Sequence, residues 1–179
     1  MSRLIRLLSI LLVFFVLNCA PRAILIERPA PTPTPPPPAK NTGQVIASQN
    51  HLTNGKKFYK RVNYGKALQE FNKAIIANPD NWEAHYYAGL CYQKLEHYTE
   101  SIPEFEICIK FEIPDKLYLS EIRSAFAFSL EKTNDLKEAE MQYNLAYSLN
   151  PENNNAYKGM KRVKEKNLKL YKNKKNEKK

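Results

Sequence analysis

Residues 51–79 read HLTNGKKFYKRVNYGKALQEFNKAIIANP, and the order of small and bulky side chains in this run is the key to the chain. Gly55 is followed three residues later by Phe58. Ala67, Phe71 and Ala74 then fall at i, i+4 and i+7, and Pro79 closes the run. Side chains so spaced share one face of a helix, which here presents small, large, small to its neighbour. A glycine on the preceding helix permits close approach and leaves room for the Phe71 ring. Two antiparallel helices are expected, with proline where the second must stop.

The series recurs twice. The second copy is His85, Ala88, Gly89 and Tyr92, then Ser101, Phe105, Cys108 and Pro114. In the third, Arg123, Phe126, Ala127 and Leu130 precede Ala139, Tyr143, Ala146 and Pro151. The small residue of the first helix precedes that of the second by 12 residues in every copy. Gly55 to Gly89 is 34 residues and Gly89 to Ala127 is 38, so about one helical turn is added near 113–119. A single helix pair leaves an apolar face that only the next pair can cover, so repetition predicts a stack. Asn78-Pro79-Asp80-Asn81 and Asn150-Pro151-Glu152-Asn153 each end one helix and offer a cap to the next. Pro103 is expected near the first turn of its helix, because deeper placement costs about 3 kcal/mol.

These residues resemble the tetratricopeptide repeat, whose scheme is W-x2-L-G-x2-Y, A-x3-F and P. The resemblance runs from Ser48 to Asn153, inside a repeat region of 44–153, with units at about 48–81, 82–115 and 116–153. It implies an all-α fold: a TPR-type helix-pair superhelix of three repeats plus a C-terminal cap helix. It also implies a binding module and not an enzyme. The chain departs from the scheme at its first contact position, which is His51, His85 and Arg123 in place of an aromatic, and Pro114 falls one residue late. First helices of the family line a concave groove. Carried across, the groove candidates are Leu52, Lys56 and Tyr59, then Tyr86, Leu90 and Gln93, then Ser124, Phe128 and Glu131. This set is more aromatic and apolar than charged, and it lacks the lysine and asparagine arrangement that clamps a terminal carboxylate in cochaperone members. A partner with hydrophobic anchors is therefore expected. The competing reading has Tyr86, Leu90 and Phe128 packing neighbouring helices.

Chemistry-bearing patterns are missing from the sequence. His51 and His85 are 34 residues apart at equivalent positions, which reads as packing, and His97 falls in a turn. None has metal-ligand spacing. There is no glycine-rich phosphate loop and no nucleophile elbow. The expectation is no catalytic residue, metal, cofactor or small-molecule substrate. Cys91 and Cys108 could pair outside the cytoplasm. Cys108, however, takes the place of Ala74 and Ala146, which favours two buried thiols.

The flanks carry the charge. Of the formal +10, the stretch from Lys161 to Lys179 holds ten Lys/Arg against Glu165 and Glu177, and Arg3 and Arg6 add two more. Everything between carries sixteen positive and sixteen negative side chains, so the basic balance is no argument for nucleic acid. Arg3, Arg6 and the apolar run Leu7 to Leu17 read as a signal peptide, residues 1–18. That run is shorter than the roughly 20 residues a spanning helix needs. Val16-Leu17-Asn18-Cys19-Ala20 resembles the lipobox of bacterial lipoproteins, with Asn18 where Gly, Ala or Ser is usual. This implies diacylglyceryl and amide-linked acyl chains (palmitate-type lipid) on Cys19, which together anchor stably. Ala20 after the cysteine implies the periplasmic face of the outer membrane. The rivals are cleavage after Ala20, which leaves Pro21 first, and a retained anchor helix, which is too short. Residues 19–43 then form a stalk. Pro29 to Pro38 adopt polyproline II and span roughly 30 Å, or else serve as a P-x-x-P ligand. Residues 154–179 are a cap helix, patterned by Ala156, Tyr157, Met160, Val163 and Leu168, and a Lys-rich tail. That tail is either merely solvated or drawn to anionic lipid or wall polymer.

The expected function is a non-catalytic protein–protein interaction scaffold, held by lipid at the bacterial cell envelope. Its protein partners lie in that envelope, as for lipoproteins that assist envelope or pilus-type assembly, and no nucleic acid is among them. The alternative is a structural tether whose basic tail holds wall polymer or anionic lipid.

Overall fold

The computed structural model describes residues 41–176. The segment read as a signal peptide, Cys19, almost all of the range read as a stalk, and the last three residues lie outside the described residues. From Ala39 onward the chain forms one compact unit. Among the described residues there are seven helices and no strand: α1 (Thr42–Lys60), α2 (Tyr64–Ala77), α3 (Trp82–Lys94), α4 (Tyr98–Lys110), α5 (Lys116–Lys132), α6 (Leu136–Leu149) and α7 (Asn154–Asn176). Each packs on the helix before and after it. The first helices of successive pairs, α1, α3, α5 and α7, also touch one another in turn.

The pairs close as the small-and-bulky pattern requires. Phe71, Phe105 and Tyr143 are among the largest fully buried side chains. A Cβ placed on Gly55 would lie 2.5 Å from the Phe71 ring, and one on Gly89 would lie 2.8 Å from the Phe105 ring. Van der Waals contact between carbons needs about 3.5–4.0 Å, so any larger residue at either position forces the ring to move. Ala67, Ala74, Ala139, Ala146 and Cys108 pack without exposure around these rings.

Polar clips hold the pairs in register. His51 Nδ1 meets Glu70 Oε2 at 2.8 Å, His85 Nδ1 meets Glu104 Oε2 at 2.7 Å, and Arg123 Nη1 donates to Gln142 Oε1 at 2.7 Å. The departures from an aromatic at this position are thus one repeated cross-helix bond. A second clip links successive units. Ser48 Oγ donates to the Ala74 carbonyl, and Asn81 Nδ2 donates to Ser48 Oγ, while Asn81 Oδ1 caps α3 through the Ala84 amide. Ser120, Ala146, Asn153 and Ala156 repeat this arrangement at the start of α7. In the middle unit Cys108 Sγ donates to the Trp82 carbonyl.

The two helices of each unit are joined through one left-handed residue: Val62 (φ 60°), Glu96 (φ 64°) and Asn134 (φ 68°). Next along, the amides of Asn63, His97 and Asp135 reach back to the carbonyls of Phe58, Tyr92 and Leu130. This is the Schellman ending of a helix, which normally takes glycine or asparagine. Only Asn134 matches.

Several expectations are refined. The four extra residues near 113–119 form an additional first turn of α5, capped by the Asp115 carboxylate on the amides of Leu117 and Tyr118. Pro103 is the sixth residue of α4, one turn deeper than expected. Its ring and Thr99, whose carbonyl loses its helical donor, are both exposed, so water can satisfy that carbonyl. α1 begins at Thr42, inside the range read as stalk. Most of the Lys-rich tail is helical, through Asn176. Lysine is a good helix former, and cations near a helix C-terminus suit its dipole. Cys91 and Cys108 are free and buried, and desolvation pushes both thiols up to about 12.

Candidate functional site: a groove across the first helices

A cavity of about 660 Å³ lies between α3, α5 and the start of α7. Tyr86, Leu90 and Gln93 come from α3, and Glu121, Ser124, Ala125 and Phe128 from α5. The α6–α7 turn and α7 supply Asn150, Glu152, Asn153, Asn154, Asn155, Lys158 and Arg162, and Tyr143 of α6 closes the floor. Leu90 and Phe128 are half-buried against the core and present their remaining surface to the cavity.

Of the nine sequence-derived candidates, five meet here: Tyr86, Leu90, Gln93, Ser124 and Phe128. Their availability differs. Tyr86 is only 8% exposed, with its ring edge-on to Tyr87 and Tyr118 at 5.4 and 5.3 Å. Burial, with the Glu121 charge adding to it, pushes its phenol well above the usual range. Tyr86 is therefore first a packing residue. Gln93 Nε2 donates to the Ala125 carbonyl and to Ser129 Oγ, both at 2.6 Å, and so ties α3 to α5. Leu90 and Phe128 keep free apolar surface.

The other four lie outside the cavity. Leu52 is 1% exposed and belongs to the first core cluster, so it lines no surface. Lys56 is held by Glu83 at 2.6 Å and lies over the Tyr87 ring. Tyr59 packs edge-on to Tyr64 and Tyr87. Glu131 is buried, and its two carboxylate oxygens accept from Arg162, Lys166 and the Tyr143 hydroxyl. Burial alone would raise the Glu131 carboxyl, but Arg162 and Lys166 outweigh it and hold it below the ordinary range. Its place is to dock α7.

The wall supplied by α7, like Glu121, is not among the sequence-derived candidates. It is polar and mixed in charge, so the groove as a whole is apolar only where α3 and α5 meet. The signal was available, because Asn150-Pro151-Glu152-Asn153 repeats Asn78-Pro79-Asp80-Asn81 and so starts another first helix. Among the described residues no group of three or more His, Cys, Asp or Glu is placed to hold a metal ion.

No protein-family model matches the sequence, and no curated protein does. Solved structures do match in fold. The Arabidopsis OM64 TPR domain is 21% identical, with a TM-score of 0.64, over 69% of this chain and 98% of that one. The first TPR of Spaghetti (RPAP3), bound to the HSP90 peptide SRMEEVD, is 17% identical at TM-score 0.63 and covers 69% and 95%. The Sgt2 TPR domain from Aspergillus fumigatus is 16% identical at TM-score 0.62 and covers 70% and 82%. With the helix order and clips above, these likenesses define the architecture. The chain is an all-α, TPR-type helix-pair superhelix: three pairs and a closing helix. At such identities they speak for the fold alone.

Proposed function

We propose that this chain is a non-catalytic scaffold that seats a segment of a partner protein in the α3–α5–α7 groove. The observation carrying this reading is the 660 Å³ concavity, with Leu90 and Phe128 only half-buried at its base and charged groups, Glu121 and Lys158, on its walls. A few polar groups around an apolar floor suit an anchor side chain entering while the backbone of its segment bonds along the walls. That a solved array of this fold holds an HSP90 peptide supports the same use here.

The site of action we propose is the bacterial cell envelope, with the protein held through lipid on Cys19 at the periplasmic face of the outer membrane. Val16 to Ala20 and the preceding apolar run support it. In that setting the scaffold assists assembly of an envelope or pilus-type complex. Two experiments test the parts separately. Leu90→Glu with Phe128→Ala leaves helicity in place and abolishes association with the partner; retention of association rejects the groove. Metabolic palmitate labelling marks the wild-type chain and not Cys19→Ser; equal labelling of both, or of neither, rejects the anchor.

A further inference from the structure

The uncovered face of α7 presents a second surface. Asn153 does for α7 what Asn81 does for α3, capping it and bonding back to a serine of the preceding pair. α7 therefore stands in the register of a first helix. Tyr157 and Lys161 lie four and eight residues after Asn153, as His85 and Gly89 lie after Asn81. His85 and Gly89 are the positions through which α3 grips α4: one bonds Glu104, and the other abuts the Phe105 ring. In α7 a lysine replaces that glycine, and its ammonium lies 5.2 Å from the centre of the Tyr157 ring. A close-packed second helix has no room there. Helical spacing continues the face through Lys164, Leu168, Tyr171 and Lys175. Its apolar members are all exposed, at 41% for Tyr157, 54% for Leu168 and 68% for Tyr171. The opposite face, with Ala156 and Val163, is committed to the core.

We propose that this stripe is a docking surface for an anionic lipid bilayer. α7 lies in the headgroup plane, with Tyr157, Leu168 and Tyr171 toward the acyl boundary and the lysines on lipid phosphates. Charge complementarity selects this occupant. From Lys161 to Lys175 the sequence has eight Lys/Arg against the single Glu165. A protein partner covering the stripe would have to desolvate Lys161 and Lys164 between apolar residues, which is costly without matched carboxylates. At a bilayer the lysine stems lie along the apolar zone while their ammonium groups reach the phosphates. Tyrosine rings favour the same level. A second copy of the chain would bring the same positive stripe and be repelled. The stripe shares no residue with the groove lining.

The compact unit, residues 39–179, tests this without any lipid on the chain. Cosedimentation is measured at low salt with vesicles of 30% phosphatidylglycerol in phosphatidylcholine and with phosphatidylcholine alone, on the order of the anionic content that attracts basic segments. The expected result is binding at least about tenfold tighter to the anionic vesicles, falling as salt rises. Lys161→Glu with Lys164→Glu should cost at least about tenfold. Leu168→Ser with Tyr171→Ser should weaken binding about severalfold at constant charge. Helicity is checked by circular dichroism in each case, and Leu90→Glu in the groove should leave vesicle binding unchanged. Equal binding to both vesicles, or no loss on charge reversal, would overturn the proposal. So would indifference to the Leu168/Tyr171 pair, or capture by a soluble polyanion such as heparin in preference to vesicles.

Discussion

Gly55→Ala is the sharpest probe of how the helix pairs close. The added methyl would lie 2.5, 2.6 and 2.9 Å from three carbons of the Phe71 ring. Phe71 is fully buried, and its ring is stacked on Tyr87 of α3, with centroids 5.3 Å apart and planes at 21°. The ring must retreat by about 1 Å to restore contact distance, and Tyr87 blocks the retreat. Overpacking of this kind costs about 1–3 kcal/mol. Alanine in place of glycine inside a helix returns roughly 1 kcal/mol. The net loss is about 0–2 kcal/mol, or a fall in Tm of up to roughly 10 °C for a domain of this size. Thermal and urea unfolding followed by circular dichroism give the number. Gly65→Ala is the control, since a Cβ there meets nothing within 4 Å; that variant should be neutral to slightly stabilising. Phe71→Leu in the Gly55→Ala background should recover part of the loss relative to Phe71→Leu alone. If Gly55→Ala proves as stable as Gly65→Ala, the pairs do not depend on glycine for their close approach.

Three further outcomes are expected. Val62 is β-branched, 67% exposed and left-handed, so Val62→Asn, the residue type Asn134 supplies at the equivalent turn, should stabilise by about 1 kcal/mol in urea melts. Both ring nitrogens of His85 face acceptors, Glu104 and the Pro79 carbonyl; burial opposes the charge, yet these partners outweigh it and raise the His85 pKa. The charged ring therefore stabilises fully below the ordinary histidine value of about 6.5, and this contribution disappears as pH climbs through the raised value. His85→Arg, which copies the residue type of Arg123 in the third unit, should flatten that decline in melts across neutral to alkaline pH; a decline of equal size in the variant assigns it elsewhere. Glu131→Gln releases Arg162 and Lys166, which are half-exposed, so the stability loss is modest, about 1 kcal/mol, while amide exchange in α7 accelerates. Unchanged α7 exchange would mean that this carboxylate does not dock the helix.

Much of the fold is legible in the chain because each unit rests on a few obligatory contacts. Glycine or alanine against an aromatic, and a proline after an asparagine, have few other uses at such regular spacing. The extra turn of α5 shows in the lengthened interval from Gly89 to Ala127. What spacing does not reveal is which exposed-looking position a neighbouring element covers. Leu52 disappears into the first core, and Tyr86 is enclosed by Tyr87 and by Tyr118, which the inserted turn carries to Tyr86. Glu131 resembles a groove residue until α7 delivers Arg162 and Lys166 to it. Pro103 misleads for another reason: on a solvent face water can take the place of the missing donor.

The groove is the centre of the account, and a photo-crosslinker tests it most directly. Placed at Phe128, at the base of the cavity, and separately at Met141, exposed on α6, it should trap one discrete partner from the first position and none from the second. Leu90→Glu should erase the Phe128 adduct while the helices remain. Equal trapping from both positions, or a Phe128 adduct indifferent to Leu90→Glu, would contradict the account.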